Sequence, residues 1–274
     1  MTAQRWLVSL KTIVLYVLLL VFLTPFLIII MNSFKTTEQF VDNPLSLPQG
    51  LTLDNYTSAW DSMNFWDGFM NSLTITVLSV LVILLFSSMT GYLFVRFKWR
   101  VNGWLFFAML ASLALPFQVL MIPLVMLYGN LGLLDSKAIL IFMYAGFGVP
   151  FGVFTFHGFI KGIPYELEES AFMEGSSRVH TFFRIVLPLL KPVFVTLIVL
   201  DVLWIWNDYL LPSLVLLSPD YRTLPLSTYN FFSSYSVDFS PLMAGLIMTI
   251  IPVLVMYLFL QKQIIKGITE GALK

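Results

Sequence analysis

The sequence contains no cysteine, only two histidines and few charged residues, which make up 11% of its 274 residues. The absence of cysteine excludes disulfides, thiolate nucleophiles and cysteine-ligated metals, and no His/Asp or His/Glu group has metal-ligand spacing. No Gly-x4-Gly-Lys-Ser/Thr occurs, so the chain lacks the loop that cradles nucleotide phosphates. No pairing of a nucleophile with a base is evident either. We therefore expect a protein that is not an enzyme, with no catalytic residue, no metal site and no cofactor of its own.

Hydrophobic residues dominate instead, at 58% of the chain with a mean hydropathy of +0.88. A run of roughly 20 apolar residues crosses a ~30 Å hydrocarbon core as a helix. The alternation of apolar and polar residues typical of membrane barrels is missing. The sequence predicts an all-α polytopic membrane protein with one transmembrane domain over residues 1–274. Its six predicted spans are Lys11–Met31, Asn71–Val95, Trp104–Leu127, Ala138–Phe159, Val193–Leu217 and Pro241–Leu260.

The basic residues predict the orientation of these spans, because Lys and Arg favour the cytoplasmic side of short loops. With the N-terminus inside, 12 of the 15 basic residues lie on the cytoplasmic side, and only Lys35, Lys137 and Arg222 lie outside. Both termini are therefore predicted to be cytoplasmic. The loops Phe34–Met70 and Ser218–Ser240 then face outward, and the polar loop Ile160–Leu187, between spans 4 and 5, faces the cytoplasm.

That polar loop predicts two short helices joined by a bend. Pro164 suits a first helical turn, and the acids at 166, 168 and 169 complement the helix dipole there. Leu167, Ala171 and Phe172 give this helix an apolar face. Gly175 is expected to end it, Ser176-Ser177 to cap a second helix from Arg178 to about Phe183, and Leu187-Pro188 to break that helix.

The spacing Glu-x-Ala-x3-Gly-x9-Ile-x-Leu-Pro resembles the EAA loop of permease subunits in binding-protein-dependent ABC importers. Ser170 replaces the usual Ala and Glu174 the usual Asp, and both keep size or charge. In that family the loop forms coupling helices that dock into a cleft of the ATPase. The resemblance implies ATPase coupling by the loop at about 160–190, through Glu169, Ser170, Ala171, Glu174, Gly175, Ile185, Leu187 and Pro188.

The resemblance extends over essentially the whole chain, which is similar to the shorter, MalG-like permease of the maltose/multiple-sugar subgroup. Its further residues are Asn71-Ser72-Leu73, Trp206-Asn207-Asp208 and the tail from Lys266 to Ala272. It implies a multi-pass subunit of a bacterial or archaeal cytoplasmic membrane that imports a sugar or oligosaccharide. The implied partners are a second homologous permease, an ABC ATPase dimer that binds ATP and Mg, an extracytoplasmic solute-binding protein and membrane lipid, with no nucleic acid.

Polar residues in the fifth predicted span are the candidates for a substrate path. Asp201 and Asp208 are seven residues apart and share a helix face with Trp204 between them. Acids at bilayer depth usually face a bundle interior or a wet cavity. Asp201, Trp204, Asn207 and Asp208 therefore form the candidate set, because carboxylates accept from sugar hydroxyls and rings pack on sugar faces. The alternative is structural, with Asp208 capping or bracing helix ends near Pro212 and Asp201 bonding to a neighbouring helix.

Three further features lie outside this candidate set. Gly148 and Gly152 flank Pro150 and predict close helix packing with a kink, which gating motions would use. His157 is interpreted as structural. The basic tail Gln261–Lys274 is either a positive-inside anchor or, by the resemblance, a contact with the ATPase dimer.

The sequence leaves three alternatives to the sugar importer. Within the same class, the solute would be glycerol-3-phosphate or another polar solute. An ion-gradient-driven secondary transporter would use Asp201 and Asp208 as proton or cation carriers. A membrane scaffold would show no substrate-dependent activity. The intact loop spacing argues against the last two.

Overall fold

The computed structural model describes the backbone of residues 2–232 and 237–272 and the side chains of residues 10–232, 237–259 and 261. This part of the chain is helical, and its only strand pairing is an isolated antiparallel bridge between Phe232 and Val237. The all-α prediction is confirmed. The helices are α1 Thr2–Ser33, α2 Thr37–Asp42, α3 Asp54–Ser62, α4 Phe65–Arg96, α5 Arg100–Ser112, α6 Phe117–Asn130, α7 Lys137–Ile160, α8 Glu166–Met173, α9 Arg178–Thr181, α10 Leu187–Leu189, α11 Lys191–Asn207, α12 Leu210–Val215, α13 Leu224–Ser227 and α14 Phe239–Ala272.

Membrane-spanning length and hydropathy occur together in several of these helices. In the described chain, four stretches are long and apolar enough to cross a membrane: Leu10–Ser33, Phe65–Arg96, Lys137–Ile160 and Phe239–Phe259. Two bent pairs raise the number to six if each pair forms one span. A helical multi-pass membrane protein follows from these lengths.

The third predicted span, Trp104–Leu127, is not one straight helix. Helices α5 and α6 are bent by 103° relative to each other, with the break between Ser112 and Phe117. Pro116 occupies the N-cap position of α6 with an extended ψ of 137°. Proline lacks a backbone N–H and disfavours helical geometry in the residue before it, so it ends α5 and starts a new direction.

The fifth predicted span, Val193–Leu217, is also interrupted. Helix α11 ends at Asn207, and Asp208 adopts an extended conformation with ψ of 129°. The Leu210 N–H donates to Asp208 Oδ1 at 3.0 Å, so the carboxylate caps the start of α12. Pro212 in the first turn of α12 needs no hydrogen-bond acceptor there.

One compact unit comprises residues 1–66 and 227–252. The segment that follows α1 is organised around Lys35, which is fully buried and donates to the carbonyls of Asn43 and Pro44 at 3.0 and 3.2 Å. Asn55 donates to the carbonyls of Ser33 and Lys35 at 2.8 and 2.7 Å. The two carbonyls that accept from Lys35 compensate for the burial of its ammonium group, in place of a carboxylate. An ammonium group buried without such acceptors would be penalised.

A second compact unit comprises residues 67–226 and 253–274. Its core consists of α4, α7 and α11, with the π-helical turn Phe182–Val186 packed beside them. Ile83, Leu140, Tyr144, Phe156 and Leu197 are among its completely buried side chains. This core holds the predicted coupling loop and the intramembrane acids.

Candidate functional site

The first half of the loop at 160–190 is a short helix ended by a glycine. The N–H of Ser176 donates to the Ala171 carbonyl at 2.9 Å, and the N–H of Gly175 donates to the Phe172 carbonyl at 3.0 Å. Gly175 has a φ of +85°. This bond pair is the Schellman motif, in which glycine at C′ adopts the left-handed conformation at little cost. The predicted bend at Gly175 is confirmed.

The second half of the loop departs from its prediction. Ser177 caps it as expected, since its Oγ accepts from the His180 N–H at 3.3 Å. The break predicted at Leu187-Pro188 comes slightly later, after Leu189, where a bend of 73° precedes α11. The helical run continues through the π-turn Phe182–Val186 to Leu189, and Pro188 lies in the first turn of α10. A π-turn widens the helix just before the proline, so the missing N–H is tolerated.

The residues assigned to ATPase coupling lie mostly on the outside of this loop. Glu169, Ser170, Glu174, Gly175 and Pro188 are exposed, Ile185 and Leu187 are half-buried, and Ala171 is buried. Large apolar side chains are also uncovered there, with Met173 89% and Val179 68% exposed. The loop therefore presents a mixed apolar and acidic surface of the type that partner proteins cover.

Glu168 is a functional candidate that the sequence interpretation missed, because it was counted only as a dipole partner. Its side chain is fully buried, and Oε1 accepts from Arg96 Nε at 2.6 Å. Its Oε2 accepts from the Tyr92 hydroxyl at 2.6 Å. Arg96 also donates to the Ile163 carbonyl at 3.0 Å. A two-residue ion pair thus fastens α8 to the last turn of α4.

Burial corrects the predicted apolar face of α8. Leu167 is 45% exposed, whereas Glu168 and Ala171 are buried. Ala171 and the half-buried Phe172 therefore pack inward as predicted, and Glu168 rather than Leu167 completes the face. The arginine at the end of α4 is the available signal, because the one acid of its own helix, Asp67, lies at the opposite end.

Asp201 lies at a cavity of about 530 Å³ between α7, α11 and the end of α5. Its walls include Phe147, Gly148 and Phe151 from α7, and Leu200 and Trp204 from α11. Asp201 is 4% exposed, and among the described residues its Oδ2 has no hydrogen-bond partner. A carboxylate beside aromatic rings in such a cavity is equipped to accept hydrogen bonds from a polar, ring-shaped solute.

Asp208 and Asn207 are engaged elsewhere. Asp208 Oδ2 accepts from the Tyr144 hydroxyl at 2.8 Å while its Oδ1 caps α12. Asn207 donates to the Leu203 carbonyl of its own helix at 2.7 Å. The structure thus brings Asp201 and Trp204 together at the cavity, and it places Asp208 in a bracing position.

Close packing of α4 and α7 explains the two glycines beside Pro150. A Cβ at Gly148 would lie 2.5 Å from Ile83 Cδ1, and a Cβ at Gly152 would overlap Ser87. Ser87 Oγ also donates to the Val149 carbonyl at 3.3 Å. Backbone contact of this kind needs small residues.

His157 stacks on the Phe106 ring at 4.1 Å. This contact pairs α7 with α5 and fits the structural interpretation of the histidine. The tail beyond Gln261 was given two interpretations, and its side chains lie outside the described residues.

A polar cluster holds the loop after α12 against α4 and α7. Asn71 donates to the carbonyls of Asp220 and Arg222 at 2.8 and 3.0 Å, and accepts from Lys137 Nζ at 2.8 Å. Ser72 Oγ accepts from the Leu224 N–H at 2.8 Å. The Asn71-Ser72 pair, in the second turn of α4, therefore positions the loop 218–224.

Asp135 strengthens this attachment from the turn before α7. Its Oδ1 accepts from the N–H groups of Leu217 and Ser218 at 2.9 and 2.8 Å, and its Oδ2 accepts from the Ser218 hydroxyl. These hydrogen bonds hold the pKa of Asp135 below its ordinary value of 3.8. The φ of +61° at this residue suits Asp and Asn.

We expect Asp135→Asn to lower Tm at pH 7 by about 2–4 °C, because an amide offers fewer acceptor sites. A lowered pKa stabilises the fold above pH 3.8, and the contribution is lost as pH falls through the folded-state pKa. The wild type should therefore lose more stability than Asp135→Asn between pH 5 and 3. Thermal unfolding in detergent measures both, with the exposed Asp220→Asn as control. Parallel pH profiles of wild type and Asp135→Asn would contradict the assignment.

Comparison with known proteins covers most of the chain. The family model described as "Binding-protein-dependent transport system inner membrane component" matches residues 83–269. The "Probable starch degradation products transport system permease protein" of Thermoanaerobacterium thermosulfurigenes is 45% identical over 258 residues, 94% of each chain. The "Multiple sugar-binding transport system permease protein" of Streptococcus mutans is 35% identical, over 94% of this chain and 96% of its own.

Two more comparisons extend this set. The "Diacetylchitobiose uptake system permease protein" of Streptomyces coelicolor is 30% identical, over 92% of this chain and 84% of its own. A chain from the crystal structure of a bacterial ABC transporter that imports the acidic polysaccharide alginate superimposes with a TM-score of 0.82. It covers 95% of this chain and 97% of its own at 21% identity, which shows a shared fold.

Proposed function

Because the chain belongs to the family of binding-protein-dependent transport system inner membrane components, we propose that it is the membrane-spanning permease subunit of an ABC importer for a sugar or oligosaccharide. The family match over residues 83–269 carries the proposal, since it includes the EAA loop and all the residues that line the Asp201 cavity. The permease resemblance predicted from the loop spacing is confirmed by the same match. The relatives named for starch products, multiple sugars and diacetylchitobiose support a carbohydrate as the solute.

Energy would enter through the EAA loop. A separate ATPase dimer, with its own ATP and Mg, would dock on the exposed residues around Glu169 and Gly175. The Glu168–Arg96 pair would then pass a displacement of α8 directly to α4, because a buried ion pair resists separation of its partners. A second permease would complete the pathway, and the outward loops would receive the solute-binding protein. In this arrangement residues 1–274 act as one permease domain with cytoplasmic termini in a prokaryotic cytoplasmic membrane.

The Asp201 cavity is the proposed contact of this subunit with the solute. Asp201 would accept hydrogen bonds from sugar hydroxyls, and Trp204, which is 42% exposed, would pack on an apolar sugar face. No Lys or Arg is among the residues that line this cavity, which argues against a phosphate-bearing solute. Asp208, which the ion-gradient alternative needs as a carrier, is already engaged by Tyr144 and Leu210.

Reconstitution tests the function as a whole. The subunit would be assembled with its second permease and ATPase in vesicles, and uptake of labelled maltooligosaccharide delivered by the binding protein would be measured. We expect uptake to require ATP on the ATPase side and to be unchanged by an ionophore. Uptake by this chain alone that an ionophore abolishes would instead support the secondary transporter.

Asp201→Asn tests the substrate path in the same assay. A charged acceptor contributes about 1.5–3 kcal/mol per hydrogen bond, so transport at limiting solute should fall about tenfold or more. Asn207→Ala is the matched control, since Asn207 lies on the same helix and bonds only within it. Wild-type transport by Asp201→Asn would exclude the carboxylate from solute binding and leave the importer function untouched.

A further inference from the structure

A second cavity, of about 410 Å³, opens at the C-terminal end of α4 and lies apart from the Asp201 cavity. From α4 it is lined by Phe86, Met89 and Leu93, and from α9 and the π-turn by Val179, Phe182 and Phe183. We call this cavity the α4–α9 slot. Its walls are almost entirely apolar, and Phe86 and Met89 remain 55% and 44% exposed. The part of the chain whose side chains are described therefore leaves an apolar slot uncovered.

The position of the slot along α4 indicates the medium that it faces. It occupies the last turns of a membrane-spanning helix, directly before the basic segment Arg96–Arg100. Clustered basic residues mark the point where a span leaves the hydrocarbon for the head-group region. The slot therefore opens at the depth where lipid acyl chains meet their head groups.

A basic side chain lies at the mouth of the slot. Arg178 lines the slot with its guanidinium 4.8 Å from the centroid of the Phe97 ring. Among the residues whose side chains are described, no carboxylate lies within salt-bridge distance of Arg178. The basic segment that follows α4 adds Lys98 and Arg100, and the nearby Glu168 is paired with Arg96. An anionic group would be attracted to this mouth.

We propose that the α4–α9 slot binds an anionic phospholipid, with an acyl chain along Phe86, Met89 and Leu93 and the phosphate accepting hydrogen bonds from Arg178. Arginine binds phosphate oxygens bidentately, and basic clusters beside a membrane span select anionic head groups. An apolar helix from a second protein would fill the slot but leave Arg178 unpaired. Because Arg178 follows Gly175 by three residues, the bound lipid would tie the tip of the EAA loop to the membrane surface.

Native mass spectrometry of the purified full-length chain tests the proposal. After incubation with equal amounts of palmitoyl-oleoyl phosphatidylglycerol and phosphatidylcholine, the chain should retain the anionic lipid about fivefold more often or better. Arg178→Gln should reduce that preference to near unity. Arg184→Gln is the matched control, because it removes an exposed arginine from the same segment and should leave the preference intact. Val179→Trp, at an exposed rim position, should fill the slot and reduce retention of both lipids.

Four outcomes would overturn the proposal. Equal retention of the two lipids by the wild type would show that the slot does not select charge. Undiminished retention by Arg178→Gln and Val179→Trp would place the lipid elsewhere. Loss of the lipid when the chain is assembled with its second permease would show that a protein helix covers the slot. Competition by glycerol 1-phosphate distinguishes a lipid phosphate from a soluble one. Displacement of the lipid by this soluble anion would contradict the proposal that the slot binds a phospholipid.

Discussion

Glu168→Ala is expected to destabilise the protein by about 3–5 kcal/mol and to abolish binding-protein-stimulated ATP hydrolysis in the assembled importer. The substitution leaves Arg96 unpaired with only 11% of its side chain exposed, and it removes the acceptor of the Tyr92 hydroxyl. Helix α8 then loses its attachment to α4, so movement of the docked ATPase would no longer reach the spans. Thermal unfolding in detergent measures the first effect, and ATPase assays with loaded binding protein measure the second.

Two variants separate the attachment from general damage. Glu166→Gln removes an exposed acid from the same helix and should change neither quantity. The double variant Arg96→Met/Glu168→Leu removes both charges together, and apolar replacement of a buried ion pair is often neutral for stability. We expect it to restore Tm and part of the coupling. A Glu168→Ala protein with wild-type Tm and stimulation would refute the role of the pair.

Gly175→Leu is expected to leave membrane insertion intact and to uncouple transport from ATP hydrolysis. At a φ of +85° an L-residue costs about 1–2 kcal/mol, although nothing lies within 4 Å of the position where a Cβ would stand. The expected loss therefore comes from strain that reorients the α8–α9 bend and from a bulky side chain on the docking surface. Sugar uptake and ATP hydrolysis, measured in the same vesicles, report the two separately.

Gly132→Leu is a closely matched control for this variant. Gly132 has a φ of +65°, ends α6 with the same pair of hydrogen bonds, and also has open space around it. It lies outside the EAA loop, so it should show a comparable drop in Tm with normal coupling. If Gly132→Leu and Gly175→Leu impaired coupling equally, strain alone would explain the result and the docking assignment of Gly175 would fail.

Local chemistry made part of this site predictable. The glycine bend at 175 and the serine cap at 177 depend on the conformational preferences of single residues, and both are present. Asp208 was given capping and bracing as one of two roles, and its contacts with Leu210 and Tyr144 fit that role. The signals for these features lie within a few residues of each other.

Features that depend on distant residues were not predictable in the same way. Three acids stand close together at the start of α8, and nothing local distinguishes the buried Glu168 from the exposed Glu166 and Glu169. The choice is made by Arg96, which lies 72 residues earlier in the chain. The bend at Pro116 was missed because span prediction counts hydropathy and ignores the missing N–H of proline.

The burial of Lys35 has a consequence for the electrostatic potential of the outward side in the predicted orientation. Lys35 is one of only three basic residues assigned to that side, and with no exposed surface it contributes little to the field in the surrounding water. The loop Phe34–Met70 then acts as an essentially anionic surface, through Glu38, Asp42, Asp54, Asp61 and Asp67. Such a surface repels anions at long range and lets uncharged carbohydrates approach, with a selectivity that weakens as ionic strength rises.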